Sequence, residues 1–240
     1  MIHLITYGDK KYNKSKQRLL YLAKDSDWFE TITSYGPDNL DPIFKIRFKE
    51  ILSCPRGGGY WTWKPFLIQK KLQEIKDGDF LIYLDAGCTI NKNAKKRFDE
   101  YIEMLDKSEK GILSFQMTHP EKYYTTKEIF SYFNCETNEE ILNSGQIVGG
   151  IQVIKKNEHS LKLIDIWVKA LYDDPLLFTD YYNNKNQDEC FKDNRHDQSV
   201  FSVIKKLHGA LIIPDESNFL PYGKGKCLDY PFWATRVKLI

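Results

Sequence analysis

The stretch Gly78-Asp79-Phe80-Leu81-Ile82-Tyr83-Leu84-Asp85-Ala86-Gly87-Cys88-Thr89-Ile90-Asn91 decides the fold. Phe80 to Leu84 is an unbroken apolar run bounded by turn residues, the pattern of a strand buried on both faces, as in a parallel sheet. Asp85 follows at the strand's C-terminal end. A carboxylate there needs a partner, because burying an unpaired charge is costly. Open α/β sheets bind ligands in the crevice outside the carboxyl ends of their strands. Ala86 and Gly87 are small and allow a close approach. Asp85 is therefore the first candidate functional residue; the plainer role for such an Asp is to cap the turn after a strand.

Working outward, Ile2 to Tyr7 reads as a first strand ended by Gly8-Asp9, and Lys14 to Lys24 as a helix. Trp28 to Tyr35 alternates and is rich in Thr and aromatics, so it reads as a second strand. Asp41 to Leu52 is expected to be helical, with Asp41 as N-cap and Pro42 at the first helical position. Strand and helix alternating at this spacing argue for a doubly wound α/β sheet. After Asp85 come an expected helix over 94–105, a strand over 111–115, and a polar aromatic segment, 119–133, of the kind that often carries specificity. Helices are expected over 161–171 and from Val200 to Leu207, and a last strand over 211–214. No repeat or clean linker interrupts the chain, so residues 1–240 are expected to form one domain.

The chain has 240 residues, 42% of them hydrophobic, enough for one large core. Thirty-five Lys and Arg against 33 Asp and Glu leave a net charge of +2. That balance carries no general footprint for nucleic acid. The five cysteines are scattered, with no Cys-x-x-Cys or Cys/His cluster, so neither a disulfide framework nor a zinc site is expected. Met1 leads into Ile2-His3-Leu4-Ile5, too short an apolar run to be expected as a secretory leader, and no apolar run approaches membrane-spanning length. A soluble, cytoplasmic protein is the expectation, with peripheral membrane contact still open.

Three further stretches carry chemistry. Arg56-Gly57-Gly58-Gly59-Tyr60-Trp61-Thr62-Trp63-Lys64-Pro65 is a Gly-rich loop feeding a helix that Pro65 opens. Backbone N–H groups at such a helix start, flanked by Arg56 and Lys64, suit an anion. The same loop could simply close the hydrophobic core with its two Trp. Gln146 to Ile154 is a strand interrupted by Gly149-Gly150, which weakens it unless something must come close. Asn194-Arg195-His196-Asp197-Gln198-Ser199 places several polar groups at one helix entrance. Asp197 as a simple N-cap is the default for one such residue. In the tail, Lys224, Lys226 and Arg236 surround Gly223 and Gly225 and could close over a diphosphate, or only be solvated. No Gly-x-Ser-x-Gly elbow supports a hydrolase, and no Gly-x-Gly-x-x-Gly follows the first strand.

Tyr83-Leu84-Asp85-Ala86-Gly87 after an apolar strand resembles a variant of the Asp-x-Asp motif of GT-A-fold glycosyltransferases. Arg56 to Pro65 and Arg195 to Ser199 resemble the other signatures of a group of small bacterial and viral sugar transferases. The retaining family-eight and family-thirty-two enzymes are more distant relatives. The resemblance runs from about Ile2 to Arg236. It implies a GT-A-like, Rossmann-like single domain with a mostly parallel central sheet and helices on both faces. It implies a hexosyltransferase of polysaccharide biosynthesis, moving a sugar from a UDP-linked donor to an acceptor hydroxyl on a glycan, lipid-linked or protein-linked. On that analogy Thr6 and Tyr7 contact the base. Asp85 binds the ribose or a metal, Mn²⁺ or Mg²⁺, with Ala86 and Gly87 beside it. Arg56, Lys64, Lys224 and Arg236 hold diphosphate, and Gly149, Gly150, His196, Asp197 and Gln198 surround the sugar. Asp197, Gln198 and Asp85 are the expected catalytic residues, with retention at the anomeric carbon and Glu121 as the fallback base for an inverting reaction. Gly87 stands where the second Asp of Asp-x-Asp belongs, so metal dependence is weakened. The alternatives are a non-catalytic sugar- or nucleotide-binding protein of the same fold, and a nucleotidyltransferase that makes the sugar nucleotide.

Overall fold

The computed structural model describes residues 1–239. Its strands are β1 (Ile2–Tyr7), β2 (Thr31–Tyr35), β3 (Phe80–Leu84), β4 (Thr89–Ile90), β5 (Ile112–Pro120), β6 (Gly145–Ile147), β7 (Ile151–Lys155), β8 (Leu211–Pro214) and β9 (Phe232–Trp233). Seven of them form one sheet in the order β2-β1-β3-β7-β5, with β6 and β8 also pairing β5. β1 is parallel to β2 and β3. β7 runs antiparallel to both β3 and β5, and β6 antiparallel to β5. β8 is parallel to β5. Thus β2, β1, β3, β5 and β8 point one way, and only β6 and β7 oppose them.

The central strands are apolar on both faces, and the period of two divides their side chains between two cores. Ile5, Leu81 and Tyr83 face one core, which the helices Trp63–Glu74, Glu158–Asp173 and Asp197–His208 complete with Leu67, Leu72, Trp167 and Phe201. Leu4, Ile82 and Leu84 face the other, covered by Leu19 of helix Asn13–Ser26 and by Phe98 and Tyr101 of helix Lys95–Asp106. Every residue of β3 is buried, as its unbroken apolar run predicts. The helix-on-both-faces expectation therefore holds.

The differences are local. Trp28 is buried but lies outside β2, which starts at Thr31. The segment after Asp41 is two short helices, Pro42–Arg47 and Lys49–Leu52, meeting at Phe48. Asp41 caps the first by accepting from the Ile43 and Phe44 N–H groups. The helix after the glycines starts at Trp63, two residues before Pro65, whose missing N–H has no helical partner in the first turn anyway. β6 and β7 are one strand interrupted at Val148-Gly149-Gly150, where the sequence placed its break. The tail returns to the site: β9 pairs antiparallel with β4, just beyond Asp85.

Candidate active site

Asp85 leaves the C-terminal end of β3 and lies on the wall shared by two adjoining cavities, of about 270 and 370 Å³. Gly150, Gln198 and Arg236 belong to the same wall. The first cavity opens outside β1 and β3 and is lined by the aromatic side chains of Tyr7, Tyr12, Trp61 and Trp63 together with Asp9. Tyr7 and Trp63 stack with ring centres 3.8 Å apart. The second is lined by polar and charged groups, among them Lys64, Arg195, His196 and Asp197.

The floor is a charge cluster. Lys64 Nζ lies 2.6 Å from Asp197 Oδ2 and 3.3 Å from Asp85 Oδ1. It also donates to the Gly149 carbonyl at 3.3 Å. Tyr83 Oη donates to Asp85 Oδ1 at 2.5 Å. Burial opposes the Lys64 ammonium, but the two carboxylates outweigh it and hold its pKa above the ordinary lysine value. The Asp197 carboxyl is pushed up to about 6, first by burial and then by the negative charge of Asp85, with Lys64 opposing both. Asp85 is the accessible member: its side chain is 37% exposed, against 5% for Asp197 and 2% for Lys64.

Each of these side chains has a structural reason to be where it is. Gly57, Gly58 and Gly59 all have positive φ, and a Cβ on Gly59 would strike the Leu52 backbone at 2.8 Å. This turn brings Trp63 and Lys64 to the start of their helix beneath β3. A cation at a helix N-terminus opposes the macrodipole, and here the two carboxylates offset it. Asp197 is the first residue of its own helix; the N-cap position is His196, at φ 58, and it makes no capping hydrogen bond. The plainer alternative for Asp197, a simple N-cap, does not hold: its carboxylate turns to Lys64. Gly149 and Gly150 admit the protein's own groups. A Cβ on Gly149 would come within 2.6 Å of Gln198 Cβ, and one on Gly150 within 2.7 Å of Asp85 Oδ2. Gln198 Oε1 accepts from the Gly149 N–H at 2.8 Å, and its Nε2 donates to Gln146.

Several expected site residues stand elsewhere or are already engaged. Thr6 is fully buried within β1 and lines neither cavity. Lys224 and Lys226 are exposed and line neither cavity. Arg56 is at the rim of the second cavity, held by Asp180 at 2.9 Å and Asp193 at 3.0 Å. His196 is buried, with Nε2 2.9 Å from Asp180 Oδ1, and burial lowers its pKa. Lys64 spends its charge on two carboxylates, so the helix entrance expected to take an anion is filled by the protein itself. Glu121 is fully buried and accepts from Thr125, Gln146, Ser202 and Lys206. It lines neither cavity, which corrects its place as an acceptor-side base.

Two further cations reach the site: Arg236, on the common wall, and Arg195, in the second cavity. Among the described residues neither forms an ion pair. The Arg195 guanidinium lies 3.6 Å from the Tyr124 ring centre, and burial and the like charge of Arg236 are among the influences that lower its pKa. Arg195 opens the Arg195–Ser199 stretch, whose local pattern by itself gives the guanidinium no role. Asp9, Tyr12 and Asn218 also line the first cavity, and nothing in their local sequence pattern sets them apart from turn residues.

Mn²⁺ or Mg²⁺ was expected at Asp85. Among the described residues no three His, Cys, Asp or Glu converge on a metal position. Asp85 Oδ1 already faces Tyr83 and Lys64. At Gly87, a Cβ would stand 3.1 Å from the Arg236 backbone, and the Gly87 carbonyl accepts from the Val237 N–H and the Thr235 hydroxyl. The tail thus occupies the space a second Asp would need. A hard cation takes six or more oxygens, and one carboxylate beside an ammonium does not fit a protein-held site. No helix among the described residues is long and apolar enough to cross a membrane.

The fold is that of a glycosyltransferase involved in glycosylating the major capsid of PBCV-1, at TM-score 0.54 and 11% identity over 97% of this chain and 92% of that one. The galactosyltransferase LgtC, in complex with donor and acceptor sugar analogues, aligns at TM-score 0.48 and 14% identity over 91% of this chain and 76% of LgtC. Mouse xyloside xylosyltransferase 1 aligns at TM-score 0.47 and 13% identity, over 92% of this chain and 89% of that one. No protein-family model and no curated protein sequence matches the chain.

Proposed function

We propose that the protein is a glycosyltransferase, moving a sugar from a nucleotide-sugar donor, UDP-linked, to an acceptor hydroxyl on a glycan or a lipid- or protein-linked glycoconjugate. The observation that carries this reading is the charge layout of the paired cavities. An aromatic chamber adjoins a polar one, and the guanidinium groups of Arg236 and Arg195, unpaired among the described residues, stand at and beyond their common wall. A nucleotide sugar has the matching order: a base with a π-face, a diphosphate, then a neutral hydroxylated ring. Aromatic faces suit the base, and guanidinium forks suit phosphate.

In this reading Arg236 and Arg195 meet the negative charge that grows on the departing diphosphate, the place where preorganised charge lowers a barrier most. Asp85 takes a ribose or sugar hydroxyl. Asp197 stabilises positive charge at the anomeric carbon, and Gln198 fixes the Gly149-Gly150 turn against the sugar. The bond from anomeric carbon to diphosphate oxygen breaks, the bond to the acceptor oxygen forms on the same face, and the acceptor proton passes to the departing oxygen.

The test is release of nucleoside diphosphate from a panel of UDP-, GDP- and dTDP-sugars, with and without acceptor glycans. Turnover with one donor supports the transferase. Tight binding with no turnover supports the carbohydrate-binding alternative, which Gly87 under the tail favours. Consumption of a nucleoside triphosphate and a sugar phosphate supports the nucleotidyltransferase.

A further inference from the structure

Behind the Gly149-Gly150 turn lies an ammonium group that the chemistry above leaves unused. Lys205, on helix Asp197–His208, is buried. Its Nζ donates to Gln152 Oε1 at 2.6 Å and sits 4.3 Å from the Phe201 ring centre. Among the described residues no carboxylate pairs with it. Gln152, on β7, donates from Nε2 to the Gly149 carbonyl at 3.0 Å and to the Val148 carbonyl at 3.3 Å. The Gly149 carbonyl is the one that also accepts from Lys64. Lys64 and Lys205 therefore reach the same peptide group, one directly and one through an amide.

Building on the transferase reading, we propose that Lys205 is a proton-linked positioning residue: it takes up a proton as a nucleoside diphosphate enters the cleft and, through Gln152, holds the Gly149-Gly150 turn against the ligand. The charges make the argument. Lys64, Asp85 and Asp197 together carry one positive and two negative charges, so the cluster is negative unless Lys205 is protonated. An arriving diphosphate makes the region more negative and favours the ammonium. The groups that face Lys205 are Lys64 from helix Trp63–Glu74, Asp197 from its own helix, and the neutral Gln152 and Phe201. Burial and Lys64 depress its pKa to about 7, with Asp197 opposing. An ordinary lysine would be charged before and after binding and would register nothing. By reciprocity, a ligand that favours the protonated form binds less tightly as the proton is lost. Affinity should fall by up to about tenfold per pH unit above the free-state value.

The experiment is titration calorimetry with UDP, in buffers of different ionisation enthalpy between pH 7.5 and 8.5, where the terminal phosphate is already ionised. Wild type, Lys205→Met and Lys205→Arg are compared, with thermal melts to establish folding. Wild type is expected to take up a large fraction of a proton on binding UDP and to lose affinity as pH rises. Both variants are expected to take up none and to bind with pH-independent affinity, since Met carries no proton and Arg never gives one up. UDP binding by wild type without proton uptake, or uptake that survives in a folded variant, overturns the link alone. Should the variants fail to fold, the wild-type pH dependence decides. A folded wild type that binds none of UDP, GDP or CDP overturns the transferase reading and the link together.

Discussion

The Lys64 ammonium stands 2.6 Å from Asp197 Oδ2, so the first turns of two helices distant in sequence are joined by a buried ion pair beneath the cleft. Breaking such a pair by deleting one partner commonly costs about 3–5 kcal/mol, because the other charge is left buried. Here Lys64 would retain Asp85. Asp197→Asn is therefore expected to destabilise by less than that range, while turnover falls by about a hundredfold or more, the scale of losing one transition-state electrostatic group. Thermal melts and kcat on the same preparation check this. Near-normal turnover in the folded variant would remove Asp197 from the chemistry.

The raised pKa of Asp197 gives opposite signs for stability and turnover. Its folded carboxyl binds protons more tightly than the unfolded one, near 3.8. The favourable contribution is thus fully present below that value and is lost as pH rises through about 6. Turnover needs the ionised carboxylate and is expected to rise through the same window. Melting temperature and kcat against pH, for wild type and Asp197→Asn, test both limbs. The variant should lose the stability slope, and an unchanged slope would assign it to another group.

Neutralisation of the diphosphate by Arg236 and Arg195 predicts that exhaustive chelation leaves substantial activity. Arg236→Ala is expected to lower kcat/KM by one to two orders of magnitude, about 1.4–2.7 kcal/mol of transition-state stabilisation. Steady-state kinetics with and without chelator decide the matter. Complete loss on chelation, restored by Mn²⁺, would show that Asp85 and the diphosphate hold a cation after all.

Gly150→Ala is expected to damage the site before the fold. Its Cβ would come within 2.7 Å of Asp85 Oδ2, and Asp85 is the accessible member of the cluster, able to shift toward the cleft at the expense of its contacts with Tyr83 and Lys64. Gly149→Ala meets Gln198 Cβ and Cα instead, which cannot yield so easily. Overpacking of that kind costs about 1–3 kcal/mol. Gly149→Ala should therefore melt lower than Gly150→Ala, with turnover reduced in both. Equal melting temperatures to wild type in both would refute the close approach.

Retention of configuration is expected, because the carboxylates of the polar cavity are tied to cations, and Asp9, in the aromatic cavity, accepts from the Lys11 and Tyr12 N–H groups. Asp197 is tied to Lys64, and Glu121, the fallback, is sealed in the core. Proton NMR of the product reads the anomeric configuration directly, and an α-linked donor yielding a β-linked product would overturn the assignment.

Much of the architecture was legible in the chain. The run Phe80–Leu84 announces a strand buried on both faces, the glycines at 149–150 announce the break between β6 and β7, and Asp85 sits at a strand's end because apolar pattern and turn residues put it there. Those features depend on local period and local backbone freedom, which a sequence displays. The partners were not legible. That Lys64 serves Asp85 and Asp197 instead of a phosphate, that Arg56 is held by Asp180 and Asp193, and that Glu121 is buried with Lys206 all depend on which helix starts meet beneath the sheet. The strand directions were likewise hidden, because pairing β7 antiparallel between β3 and β5 is a long-range choice. The sequence by itself determined where the strands and turns fall and which residues gather at the strand ends. Only the tertiary structure decided which charges are cancelled and which remain to meet a ligand, because pairing is set by distances of a few ångströms between groups far apart along the chain.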